Sequence, residues 1–311
     1  MFVRLVSAIL VVLLCVACAA HSARSGPGPS ARGKRETGPD AQGSAGQLRW
    51  IGGPTAVIER AGMRVITDPM LGPRAEQAFV LPKHPSSGQL NAPIARYTAP
   101  PELSLDALDA ILISHTHADH FDAYAQQHLP KALPLVVAMA GAEAVRAAGF
   151  SDVRALDWGE STTIAVRGAR LRVTAVPAHH AHEAELDQQL GRGNGYVLEW
   201  LEAAVPYRVY WTGDAVLSDE SKTLVKTYGA IDLLLPHMGG VGGDGGLGLR
   251  TMNALEALEL VRRVDPRLVV PIHHTTFAHY REPIEALQQR AAESGEGSRF
   301  RFMREGESAP L

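Results

Sequence analysis

Residues 111–122 read Ile111-Leu112-Ile113-Ser114-His115-Thr116-His117-Ala118-Asp119-His120-Phe121-Asp122. An apolar run stops at Ser114, and three histidines and an aspartate follow within six positions. The H-x-H-x-D-H spacing suits metal. His115 and His117, two apart at the end of a strand, can point onto one ion, while Asp119 and His120 on the following turn reach a neighbouring one. The plainer alternative is a solvated turn in which Asp119 caps a helix. It leaves the histidines without a role. Imidazole and carboxylate donors without thiolate suit zinc, iron or manganese.

Four ligands from one loop cannot close two sites, so the others must come from elsewhere. Further apolar runs end in the same way: "LRVTAVPA" at His179-His180, "YRVYWTG" at Asp214, "IDLLLP" at His237 and "RLVVPI" at His273-His274. Strands lying in sheets with their C-terminal ends at one edge bring such residues together, where folds of this kind place ligands. His180, Asp214 and His273 are the candidates to complete the sites. A carboxylate such as Asp214 can bridge two cations with its two oxygens, which an imidazole cannot do. A cation pair lowers the pKa of a shared water towards neutrality and holds a hydroxide for attack.

The rest of the chain narrows the function classes. It has 311 residues, a formal net charge of -3 and 46% hydrophobic residues. Five Lys/Arg against two acids in residues 1–47 leave -6 on the remainder. That mildly acidic body has no global field for nucleic acid, so no nucleic-acid partner is expected. "MFVRLVSAILVVLLCVACAA" has one Arg, an apolar run from Leu5 to Ala20 and small residues at its end, the layout of a signal peptide over 1–20. "CVAC" resembles a bacterial lipoprotein signal with Cys18 as the lipidated residue, a membrane tether. Plain cleavage near Ala17–Ala20 and an uncleaved anchor are the alternatives. Residues 21–47 are rich in Gly, Ser, Pro and Ala and read as a flexible linker. The folded body is expected over 48–311 and has no cysteine, which excludes disulfides and thiolate ligands there. Within it, "LRWIGGPTAVIERAGMRVITDP" reads as two or three strands with "RAGM" as a hairpin turn. Residues 69–101 contain seven prolines and read as a long irregular loop. "GAEAVRAAG" and "TMNALEALELVRRV" read as helices.

With "HTHADH", "TGD" at 212–214 and "PIHHTTF" at 271–277, the chain resembles the metallo-β-lactamase fold superfamily. "WIGGPTAVIERAGMRVITDP", "VPAHH" and "LLLPHMGG" are similar to the branch of N-acyl-phosphatidylethanolamine phospholipase D and the ascorbate-phosphate lactonase. The resemblance runs from about Leu48 to the C-terminus. It implies an α/β fold, a four-layer αβ/βα sandwich of two mixed β-sheets flanked by helices, with metals at the sheet edge. It implies one site of His115, His117 and His180, a second of Asp119, His120 and His273, and Asp214 bridging them. His180 is preferred to His179, and His273 to His274, by the family pattern. Two zinc ions are expected, with iron or manganese as alternatives. The missing thiolate sets the chain apart from the commonest true β-lactamases.

Two segments depart from the branch. "PHMGG" stands where relatives tend to have "PIGG", which places His237 near the mouth, and "HAHEAELDQQLGRGNG" is charged and Gly-rich. Both are expected to shape the substrate pocket. Asp68 in "TDP" matches a family position and is expected to orient a histidine ligand, with a turn-forming Asp-Pro as the alternative. His279 is a candidate proton donor to the leaving group, or else an exposed helix-start histidine. His84, His128 and His182 read as surface residues. Trp50, Trp158, Trp200 and Trp211 read as core or sheet-face aromatics. The expected activity is that of an exported binuclear hydrolase acting on a phosphodiester, lactone or related ester of a small molecule or lipid, with Asp119 holding the hydroxide and its proton. An iron-dependent oxidoreductase on the same fold and a non-catalytic metal-binding lipoprotein are the rivals.

Overall fold

The computed structural model describes residues 46–73, 79–80, 92–242 and 248–311. The signal segment, most of the linker, both cysteines and His84 lie outside the described residues. Strands β1 (Gln47–Gly52), β2 (Thr55–Arg60), β3 (Met63–Thr67), β4 (Ala110–Ile113), β5 (Leu135–Ala138) and β6 (Val153–Leu156) belong to one sheet. Strands β7 (Ser161–Val166), β8 (Ala169–Ala178), β9 (Gly193–Trp200), β10 (Tyr207–Trp211), β11 (Leu233–Leu235) and β12 (Leu268–Val269) form the other. The last strand, β13 (Ser308–Pro310), returns to pair with β1. β1 opens at Gln47, one residue inside the segment read as linker.

Both sheets are mixed. β1, β2 and β3 form an antiparallel meander, and β3 to β6 run parallel. In the second sheet β7 to β10 are antiparallel and β10 to β12 parallel. The hairpin of β2 and β3 turns at Ala61-Gly62, both at positive φ (51° and 77°) between the paired Arg60 and Met63. That is the two-residue turn whose twist matches the strands it joins.

Among the described residues six α-helices accompany the sheets: α1 (Ala123–His128), α2 (Ala142–Ala147), α3 (Ala184–Leu190), α4 (Leu224–Tyr228), α5 (Ala254–Val264) and α6 (Ile284–Glu293). Side-chain alternation along the strands creates the layers. Leu112 of β4 joins Trp50, Val136, Tyr196, Trp200 and Trp211 between the sheets. Ile111 and Ile113 point the other way, onto Ala125 of α1 and Val145 of α2. On the far face of the second sheet, Tyr210 and Leu234 pack with Val261 of α5 and Leu287 of α6. The order is helices, sheet, sheet, helices, the αβ/βα sandwich. A parallel strand covered on both faces has no polar side, which is why β4 reads as an unbroken apolar run.

Candidate metal centre

The parallel strands carry their C-terminal residues to one rim. His115 and His120 follow β4, Asp68 follows β3, Asp214 follows β10, His237 follows β11 and His273 lies beyond β12. The turn after β10 needs glycine. At Gly213 the backbone has φ 59°, and a β-carbon would lie 2.5 Å from the carbonyl oxygen of Asn194. His273 also takes a positive φ, 63°, fixed by its N–H donating to the Gly53 carbonyl at 2.8 Å. A non-glycine residue in this region costs energy that the surrounding structure must supply.

Among the described residues ligand-type atoms converge in three groups, each within 4.8 Å: His115, His117 and His180; His120, Asp214, His237 and His273; and Asp119, His273 and His279. All seven residues named as ligands from the sequence therefore stand in one cluster. Asp214 lies between the halves, its Oδ2 3.2 Å from Nε2 of His120 and 3.8 Å from Nε2 of His180. His117 Nδ1 is 3.0 Å from His115 Nε2 and 3.3 Å from His180 Nε2.

Hydrogen bonds on the outer side of each ring determine which nitrogen faces inward. Nε2 of His117 donates to the Leu190 carbonyl, Nδ1 of His180 to Arg250 and Nδ1 of His273 to Met238. Nδ1 of His120 donates to Oδ2 of Asp68 at 2.7 Å. The Ser114 hydroxyl gives its proton to Asp68 at 2.6 Å and accepts from Nδ1 of His115 at 2.9 Å. A neutral imidazole has one N–H, so the inner nitrogens of His115, His117 and His273, which burial keeps uncharged, are left with bare lone pairs. Nε2 of His120 and of His273 are buried and have no hydrogen-bond partner. Lone pairs facing one another at about 3 Å repel unless a cation lies between them. The residues fit a metal.

The charges agree. Burial, with His120 and His117 nearby, keeps His115 neutral well below the usual imidazole range, and burial takes His273 down to about 3. For His120 burial also works against the charge, but Asp214, Asp119 and Asp68 outweigh it and raise its pKa well above normal. Burial would raise Asp119 and Asp214, yet the adjacent histidines, His120 foremost, hold both well below the usual carboxylate range. The cluster draws positive charge.

Several neighbouring residues have roles that the sequence left open. Asp68 is fully buried and bonds both Ser114 and His120, so it orients a histidine rather than only making a turn. The cap of α1 is Asp122, which accepts from the Ala125 N–H, and Asp119 is free of that task. His279 is 4% exposed, with Nε2 3.2 Å from Oδ2 of Asp119 but poorly aligned for a hydrogen bond, so it is no exposed helix-start residue. His274 turns into the core against Trp50, ring centroids 4.4 Å apart, and burial lowers it to about 4. His179 pairs with Asp187 and lines a groove with Trp158 and Glu220. His128 and His182 are exposed. The expectation for His237 is corrected. It is fully buried beneath Asp214, not at the mouth, because β11 ends inside the sheet and His237 continues its pairing opposite Ile272. Its place at the end of a buried apolar run was the available signal.

Residues 63–274 match the family model described as the Beta-lactamase superfamily domain. The chain belongs to that superfamily. Over 258 residues it is 26% identical to "N-acyl-phosphatidylethanolamine-hydrolyzing phospholipase D 1" of Caenorhabditis elegans, an alignment covering 77% of this chain and 68% of that one. It is also 26% identical to a UPF0173 metal-dependent hydrolase of Methanopyrus kandleri, covering 84% and 98%. Among solved structures, the isothiocyanate hydrolase from Delia radicum gut bacteria superposes with a TM-score of 0.69 at 23% identity, covering 85% and 98%. This likeness is one of fold, and the two mixed sheets described above are the superfamily's architecture.

Proposed function

We propose that this protein is an exported hydrolase that holds two divalent cations and cleaves a phosphodiester, lactone or related ester of a small molecule or lipid. As a member of the beta-lactamase superfamily whose relatives are named for the activity, it is a metal-dependent hydrolase. The observation that carries the finer reading is the set of imidazoles bonded on their outer nitrogens with their inner ones turned towards one another and Asp214. Such outer partners fix tautomer and ring orientation in metal sites. His115, His117 and His180 would hold one cation, Asp119, His120 and His273 the other, and Asp214 would serve both. When bound, the cations supply Lewis acidity for developing negative charge on oxygen and bring the pKa of a bound water near neutrality.

The chain's own groups do the rest. Asp119, 4% exposed and held ionised, accepts the proton of the attacking water. His279, within 3.2 Å of Asp119, is placed to pass that proton to the leaving oxygen. Zinc is the favoured metal, because N and O donors without thiolate accept it and hydrolysis needs no redox change. The phosphodiester reading is supported by the name of the nematode relative, and export by the signal layout of residues 1–20. Elemental analysis of purified protein, combined with a screen over phosphodiesters and lactones, tests the proposal. Two equivalents of metal and hydrolysis lost on chelation are expected. Iron with oxidation of a thiol and no hydrolysis would replace this reading with the oxidoreductase.

A further inference from the structure

His237 is the member of the buried group His120, Asp214, His237 and His273 that the metal assignment leaves out. Its ring stacks on His273, centroids 4.9 Å apart and planes 2° apart. What distinguishes it is the partner of its outer nitrogen. The ligand histidines present that nitrogen to a carbonyl, carboxylate or hydroxyl oxygen that takes a proton. Nε2 of His237 instead meets Nε1 of Trp211 at 2.7 Å, and an indole N–H can only donate. Nε2 is therefore the bare, accepting nitrogen. The single ring proton sits on Nδ1, 2.8 Å from Oδ1 of Asp214. The opposite tautomer, or an imidazolium, would set two N–H donors against each other in a fully buried place and leave both unpaired.

We infer that His237 is a positioning residue and not a metal ligand: Trp211 fixes its tautomer, and its Nδ1–H clamps Asp214 between the two groups of histidines. The inference rests on the reading of this site as a metal centre. Only Nδ1 of His237 faces Asp214, and in this tautomer it has no lone pair to offer a cation. With Oδ1 held, Oδ2 is turned towards Nε2 of His120 at 3.2 Å and of His180 at 3.8 Å, one residue from each half of the ligand set. The clamp comes from adjacent strands. β10 and β11 pair in parallel with Trp211 opposite Leu235, so the residues just beyond them meet. The Trp211 indole is anchored in the core by stacking on Tyr196 at 5.5 Å.

The full chain, labelled with nitrogen-15 and loaded with a magnetically active cadmium isotope, tests the inference by long-range proton–nitrogen correlation spectra. His115, His117, His120, His180 and His273 should show coupling to cadmium. His237 should show none and keep its proton on Nδ1. Cadmium coupling at His237, or a proton on its Nε2, overturns the proposal. Two variants give a second arm, with the zinc dissociation constant measured by chelator competition. His237→Asn keeps an amide N–H near the position of Nδ1, while His237→Leu fills similar space without a donor. The Leu variant should bind zinc about 10–100-fold more weakly and the Asn variant within about threefold of the parent, the range for lost outer partners of metal ligands. Both lose the bond to Trp211, so their metal-free melting temperatures should fall together, and a difference in zinc affinity is then not one of folding. Equal affinity in the two variants overturns the clamp. Cadmium coupling at no histidine overturns the metal reading itself and the clamp with it.

Discussion

Replacing Asp68 by Asn changes one atom in a side chain that touches no substrate, and should nevertheless weaken the metal centre. The carboxylate takes three protons: Oδ1 accepts from the Ser114 N–H at 2.7 Å, and Oδ2 from the Ser114 hydroxyl at 2.6 Å and from Nδ1 of His120 at 2.7 Å. An amide nitrogen accepts nothing. Placed at Oδ2 it opposes the hydroxyl and the imidazole, and placed at Oδ1 it opposes the backbone N–H. The better orientation still leaves one buried donor unpaired, which costs about 1–3 kcal/mol of stability. In either orientation His120 loses the negative charge that fixes its proton on Nδ1. The site of Asp119, His120 and His273 should then bind zinc about 10–100-fold more weakly, or about 1.4–2.7 kcal/mol. Competition with a chromogenic chelator measures this, and metal-free thermal unfolding measures the stability term separately. A variant that keeps both affinities within about twofold of the parent would refute the role given to Asp68.

The proposed ligand assignment predicts that His117→Ala and Asp214→Ala abolish hydrolysis, with the greater metal loss in Asp214→Ala because in that assignment Asp214 would serve both cations. His179→Ala and His274→Ala should retain metal, although His274→Ala should lose roughly 2–3 kcal/mol of stability as its packing on Trp50 disappears; equal metal loss in all four would show the assignment wrong. Proton release is the third expectation. Buried His120 is held charged in the metal-free protein by Asp214, Asp119 and Asp68, so a cation must displace its proton, and acidification should weaken binding. Titration calorimetry in buffers of different ionisation enthalpy reads the release at neutral pH, and no dependence on buffer would count against it. For placement, Cys18→Ser should release the protein from the membrane or leave its precursor unprocessed, and fatty-acid label should mark only the parent. Soluble, unlabelled export of both forms would eliminate the tether and leave the hydrolase untouched.

Much of the centre was legible in the chain because its signals are local. Residues 115–120 carry four metal-type side chains on one turn, and each later candidate stands at the end of an apolar run. Residue type and position at a strand end are properties of a few neighbouring residues, and parallel pairing converts them into a common rim. The absence of cysteine from the body equally determined the donor chemistry. What stayed out of reach depends on contacts between distant segments. The preference for His273 over His274 came from the family pattern alone, and its physical basis is a left-handed backbone at His273, bonded to Gly53, which turns the next ring onto Trp50. Whether Asp119 or Asp122 caps α1 depends on where the helix begins, and that in turn on packing against the first sheet. The burial of His279 beside Asp119 joins segments 160 residues apart. His237 had the sequence pattern of a ligand, and only the indole brought to it by a neighbouring strand decides which of its nitrogens carries the proton. Periodicity records which residues are buried; the partner that each buried polar atom meets is set by tertiary packing, because that partner is supplied by another strand.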